Sequence, residues 1–155
     1  MSRVPASVIE FLQGRRIVVS GVSRDPRQPA NLISQKLRSA GYEVFAVNPN
    51  AREIGGRPCY PDLAAVPGGV DGVIAAAHSR VALDLVRQCA ERGVGRIWFH
   101  QAIGAGSVSA EALEECGARG IHCIANGCPM MYVAPVDAGH ACLRWVLKWL
   151  GRVPG

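Results

Sequence analysis

The chain alternates short apolar runs with segments whose apolar residues recur at helical spacing. Residues 15–20, RRIVVS, form a β-branched run that stops at Gly21 and read as a buried strand. Residues 29–41 carry Leu32, Ile33 and Leu37 on one helical face, with Pro29 at the start and Gly41 as the stop. Residues 42–47, YEVFAV, predict the second strand, ended by Asn48-Pro49. Residues 50–69 are rich in Gly and Pro and read as a long connection with one turn of helix near Leu63. Residues 70–76 are the third strand. His78 to Arg92 places Val81, Leu85, Val86 and Cys89 on one helical face closed by Gly93. A fourth strand spans 95–99, and a helix capped by Ser109 covers 109–120. A fifth strand spans 121–125. Asp137 to Leu150 is helical, with Leu143, Val146, Leu147 and Leu150 on an apolar stripe.

Five strands alternating with helices predict an α/β, Rossmann-like fold: an open, mostly parallel five-stranded sheet with helices on both faces. The expected division is an N-terminal helix over 1–14, a domain over 15–135, and a C-terminal helix over 136–155 packed on the domain or on a partner. Trp145 and Trp149, four apart on one helix face, either dock on the sheet or face a partner chain, which leaves a homodimer open.

At 155 residues the chain suits one domain that buries roughly 70% of its unfolded surface. No apolar run is long enough to span a membrane, and the N-terminus reads as an amphipathic helix without a signal-peptide core. With six scattered cysteines, this points to reduced thiols and a cytoplasmic protein. The net charge of +5 comes from basic residues that are nearly all arginine and spread along the chain. No basic stripe with interleaved aromatics is present, so nucleic acid is not the expected partner.

In such sheets ligands bind outside the carboxyl ends of the strands. The candidate residues therefore follow the strands. Gly21, Val22, Ser23, Arg24 and Pro26 form the first loop. Asn48 and Pro49 end the second strand, and His78, Ser79 and Arg80 follow the third. Backbone N–H groups, serine hydroxyls and arginines beside helix starts suit the phosphates of a nucleotide-like small molecule. Asn48 suits a ribose or base edge. The plainer reading is that the serines cap helices and the arginines are solvated. Gly21 is not followed by the Gly-x-Gly-x-x-Gly cradle, and Asn48 stands where a nicotinamide site wants an acid, which argues against standard NAD binding.

The stretches GVSRDP, LRSAGYEVFAVNPN, EIGGRPCYPDLAAVPGGVDGVI, GRIWFHQAIG and NGCPMMY, in that order, resemble the small single-domain CoA-binding proteins. Those are similar to the CoA-binding N-terminal domain of the succinyl-CoA synthetase alpha subunit. The resemblance covers about residues 5–135. It implies that coenzyme A, or an acyl-CoA, lies across the strand carboxyl ends with its phosphates near the first loop. By position it adds Gln101, Gly104, Cys128 and Pro129 to the ligand set. The chain departs from the family at Gln28 and Gly127, where the family carries basic residues, and at Met130, where a lysine is frequent.

His122, Cys123, Cys128, His140 and Cys142 lie close in sequence but lack a tight Cys-x2-Cys pair, so no metal site is expected. Cys59, Cys89, Cys116 and Cys142 read as small core residues. Cys128 precedes Pro129 at a helix start, where a thiolate is favoured, and could exchange with a CoA thiol or disulfide, although a structural cysteine is the plainer reading. His78 and His100 are candidate bases, yet no nucleophile, base and orienting group can be assembled from spacing, so no catalytic residue is assigned. The expected function is a non-catalytic carrier, sensor or regulatory module. The alternatives are a nicotinamide-linked oxidoreductase, a subunit of an acyl-CoA ligase, and an interaction module that has lost its ligand.

Overall fold

The computed structural model describes residues 3–101 and 106–154. The described residues form seven strands in one sheet, ordered β3-β4-β2-β1-β5-β6-β7. These are β1 (Arg16–Ser20), β2 (Glu43–Val47), β3 (Glu53–Ile54), β4 (Arg57–Tyr60), β5 (Gly72–Ala75), β6 (Arg96–Phe99) and β7 (His122–Ile124). All neighbouring pairs are parallel except β3 with β4. The fold is the expected Rossmann-like α/β sheet, with two more strands than the sequence reading assigned. Gly55 and Gly56, with φ of 58° and 72°, turn the chain between β3 and β4 inside the Gly- and Pro-rich connection. That backbone suits a two-residue hairpin turn, so the connection is a hairpin first and a loop afterwards. No helix forms near Leu63; Gln88 Oε1 accepts its backbone N–H at 3.0 Å.

Among the described residues five α-helices cover the sheet: α1 (Ala6–Gln13), α2 (Pro29–Ser39), α3 (Ala82–Arg92), α4 (Ala110–Arg119) and α5 (Ala138–Trp149). Their ends follow local chemistry. Pro29 opens α2, where its missing N–H costs nothing. Ser109 Oγ accepts the Ala112 N–H at 3.2 Å, and Asp137 Oδ1 accepts the His140 N–H at 3.0 Å. The segment after β5 starts as a 3-10 turn over Ser79–Val81 before α3 begins.

Apolar side chains divide between the two faces of the sheet. Val8, Phe11, Ile33, Leu37, Trp98, Met131 and Leu147 pack on one side, against α1, α2 and α5. Leu85, Val86, Cys89, Ala112 and Cys116 pack on the other, from α3 and α4. Phe11 meets Trp98 edge-to-face with ring centroids 5.5 Å apart. Helix α5 docks through Leu147, while Trp145 and Trp149 stay exposed with their rings 6.4 Å apart. Cys59, Cys89 and Cys116 are buried as expected. Cys142 is exposed, because the outward face of α5 carries it.

Strand β1 is central, with β2 on one side and β5 on the other. The chain reverses its direction of growth across the sheet between β1 and β5. In an open parallel sheet this reversal opens a crevice at the strand carboxyl ends.

Candidate functional site at the strand carboxyl ends

A cleft of about 310 Å³ lies at this reversal point. Gly21 from the end of β1, Asn48 and Pro49 from the end of β2, and His78 and Arg80 from beyond β5 all line it. Three separate loops named from sequence thus meet around one volume. Asn50, next in that second loop, lines it too, as do Pro61, Asp84 and Gln88, which were missed. The signal for two of them was available: Arg80, Asp84 and Gln88 follow at steps of four along the segment leading into α3. Gln88 Nε2 donates to Asp84 Oδ2 at 2.6 Å, which fixes both side chains.

Gly21 sets the shape of the rim. Its φ is +98°, and a Cβ there would fall 2.6 Å from the Ala76 carbonyl oxygen and 2.8 Å from the Ala77 nitrogen. Only glycine lets the first loop cross so close to the chain leaving β5. The loop is then tied from two directions. Asn48 Nδ2 donates to the Val22 carbonyl at 2.8 Å, and Asn48 Oδ1 accepts the Asn50 N–H at 2.8 Å. Asn31 Oδ1 accepts the Ser23 N–H at 2.9 Å, and Asn31 Nδ2 donates to the Ser23 carbonyl at 2.8 Å. Ser23 Oγ accepts the Asp25 N–H at 3.2 Å. Ser23 therefore serves the turn and not a helix cap.

The cations divide into engaged and open ones. Arg27 pairs with Asp25 at 3.1 Å, and its hydrogen bonds hold the Asp25 carboxyl below the usual range. Arg24 and Arg80 are exposed, and their guanidinium groups have no partner among the described residues. The Arg80 N–H donates to His78 Nδ1 at 3.1 Å, so that ring nitrogen is an acceptor. Ser79 is half-buried beside it, and Pro26 is exposed at the far turn of the first loop.

The remaining candidates stand apart from the cleft lining. Gln101 pairs its backbone N–H with the Gly127 carbonyl at 3.0 Å, and Gly104 lies outside the described residues. Cys128 is 1% exposed within the α2 side of the core, and burial pushes its thiol up to about 11. This burial agrees with the structural reading of Cys128 and not with the thiolate, for a physical reason. The helix after Cys128 is a three-residue 3-10 turn, Pro129–Met131, and cannot offset the desolvation. Pro129 is buried there as well. His100 is half-buried, and desolvation lowers its pKa. Among the described residues no three of His, Cys, Asp and Glu gather to hold a metal ion, and no helix is long and apolar enough to cross a membrane.

Residues 15–134, which include every strand and both sides of the cleft, match the CoA binding domain family. The chain belongs to that family. This CoA-binding domain is 35% identical over 78 residues to the ADP-forming acetate–CoA ligase I of Archaeoglobus fulgidus. The match spans 50% of the chain and 11% of the ligase. An uncharacterized protein of Bacillus subtilis is 28% identical over 124 residues, covering 79% of the chain and 89% of that protein. Among solved structures, a hypothetical protein from Pyrococcus horikoshii superposes with a TM-score of 0.72 at 25% identity. It covers 84% of this chain and 94% of its own.

Proposed function

We propose that the chain binds coenzyme A or an acyl-CoA in the cleft at the β1–β5 reversal, as a carrier, sensor or regulatory module without chemistry of its own. The observation that carries this reading is the convergence of Gly21, Asn48 and Arg80 on one cleft in a member of the CoA-binding domain family. The open guanidinium groups of Arg24 and Arg80 supply charge for phosphate. The Ser23 N–H and hydroxyl are already bonded within the protein, so the loop's charge, more than Ser23, recognises the anion. Among the described residues the rim holds no nucleophile paired with a base: His78 Nδ1 is bonded to backbone, and His100 is half-buried. Six free cysteines favour a reducing, cytoplasmic setting.

The test is thermal unfolding with CoA, acetyl-CoA, 3′-dephospho-CoA, NAD and NADP side by side. Ligand at about a hundred times its dissociation constant adds roughly 2.7 kcal/mol of stability. Stabilisation by the CoA species alone supports the reading, and stabilisation by NAD or NADP alone overturns it. Absence of any shift favours a cleft that has lost its ligand.

A second reading rests on the similarity to the acetate–CoA ligase. In it the chain is the CoA-binding subunit of an acyl-CoA ligase and meets its nucleotide-binding partner as a separate protein. Co-purification of such a partner, with acyl-CoA formed only by the pair, distinguishes this from a free-standing module.

A further inference from the structure

Half of the large apolar side chains exposed among the described residues fall within residues 145–150, at the end of α5: Trp145, Val146, Trp149 and Leu150. Helix α5 docks inward through Leu147. At 3.6 residues per turn, Ala138, Cys142, Trp145 and Trp149 stand within about 60° of one another, on the side opposite Leu147. All four are exposed. Their spacing of four, three and four residues is that of a seam between two packed helices. The seam is graded in size. Ala138 and Cys142 make its N-terminal half small, with Gly139 and Ala141 beside them. Trp145 and Trp149, their rings 6.4 Å apart, make its C-terminal half a ridge.

We propose that α5 pairs antiparallel with α5 of a second copy of this chain, each tryptophan ridge lying on the small half of the other helix. In that register Trp149 of each copy meets Ala138 of the other, and Trp145 meets Cys142. Both pairs share one midpoint, between Leu143 and Arg144, as a two-fold axis requires. Charge agrees with this direction. Helix α5 begins at Asp137 and carries Lys148 and Arg152 toward its other end. Inversion sets the acid of one copy near the bases of the other and opposes the two helix macrodipoles. A parallel pair would set ridge on ridge and Asp137 on Asp137.

The area bounds the strength. The exposed parts of Trp145, Val146, Trp149 and Leu150 from two copies amount to on the order of 1,000 Å², and the small half and the helix flanks bring this near the ~1,200 Å² at which specific interfaces begin. The dimer is therefore weak and concentration-dependent, and in dilute solution both indoles stay in water. No residue of α5 lines the ligand cleft, so the pairing does not depend on what the cleft holds.

The experiment is sedimentation velocity of the full chain from the low micromolar to the submillimolar range. The mass is expected to rise with concentration from 16.5 kDa toward twice that value. Ala138→Trp puts an indole where Trp149 of the other copy lies, and is expected to weaken the dissociation constant about tenfold or more. Trp149→Ala removes half of the ridge and weakens it as well. Combining the two exchanges large for small within the same pair and restores most of the affinity, a recovery that belongs to this register alone. Both positions are exposed, and circular dichroism checks that each variant is folded. A mass of 16.5 kDa at every concentration overturns the proposal, and sedimentation of that monomer with phosphatidylglycerol vesicles would give the face to a lipid surface instead. A dimer indifferent to both single substitutions overturns it too, by placing the contact elsewhere. A double variant no tighter than the weaker single one refutes the antiparallel register.

Discussion

Asn31 in α2 holds both backbone polar groups of Ser23, accepting its N–H at 2.9 Å and donating to its carbonyl at 2.8 Å. One side chain eight residues away thus fixes the loop after the central strand. Asn31→Ala removes both bonds and leaves two half-buried backbone groups unpaired, at a cost of about 1–2 kcal/mol. Asn31→Asp keeps the acceptor for the Ser23 N–H and loses the donor, so its loss is smaller. Urea unfolding of the two variants at neutral pH orders them, and equal losses would show that the donor half contributes nothing.

Gly21 tolerates no side chain. Alanine there meets both a positive φ and the Ala76 carbonyl oxygen at 2.6 Å, and that neighbour is backbone that cannot rotate away. Gly21→Ala is expected to destabilise by about 2 kcal/mol or more and to deform the cleft rim. Gly41→Ala shares the positive φ but has open space around its missing Cβ, so it isolates the backbone strain alone. A smaller loss of denaturation midpoint at position 41 than at 21 is the expected order.

Asp71 joins the starts of β1 and β5. Its Oδ2 accepts the backbone N–H groups of Arg15 at 2.8 Å and Arg16 at 2.9 Å. These bonds, with that from Arg16 first, lower its pKa below 3.8. A carboxyl depressed in the folded state adds stability at neutral pH. That stability begins to fade as pH drops toward 3.8 and is gone below the folded pKa. Asp71→Asn therefore lowers stability at pH 7, and its deficit against the unsubstituted protein shrinks in acid. Denaturant midpoints measured from pH 7 downward test this; a deficit constant with pH would refute it.

Thiol reactivity follows exposure. Cys142 is exposed, while Cys128 is enclosed and its thiol is pushed up to about 11. Iodoacetamide at pH 8 is expected to label Cys142 rapidly and Cys128 only on unfolding. Peptide mass spectrometry over time reads the order, and early labelling of Cys128 would restore the exchange chemistry that its place beside Pro129 suggested.

The features legible in the sequence were those written in local chemistry. Pro29, Ser109 and Gly93 begin or end their helices where expected, and the five core strands sit under their apolar runs. The β3–β4 hairpin escaped because its two strands are too short to alternate visibly, although Gly55-Gly56 is itself a hairpin signal. The rim was named from the rule that ligands follow strand ends, and Gly21, Asn48 and Arg80 do meet there. The distant partners of Ser23 and Leu63 were not legible. Asn31 and Gln88 act across 8 and 25 residues, and nothing in their immediate neighbours marks the contact. Cys128 stayed open between a core thiol and a reactive one because a Cys-Pro pair reads alike before a long helix and before a single turn.

The division of the three tryptophans between core and surface gives the protein an optical asymmetry. Trp98 is fully enclosed, whereas Trp145 and Trp149 are 65% and 83% exposed. The two exposed indoles already emit as though in water, so unfolding changes the colour of one fluorophore in three. A red shift on denaturation therefore reports the packing of Phe11 and Tyr132 around Trp98 on β6. Iodide quenching of the folded protein reports α5 alone.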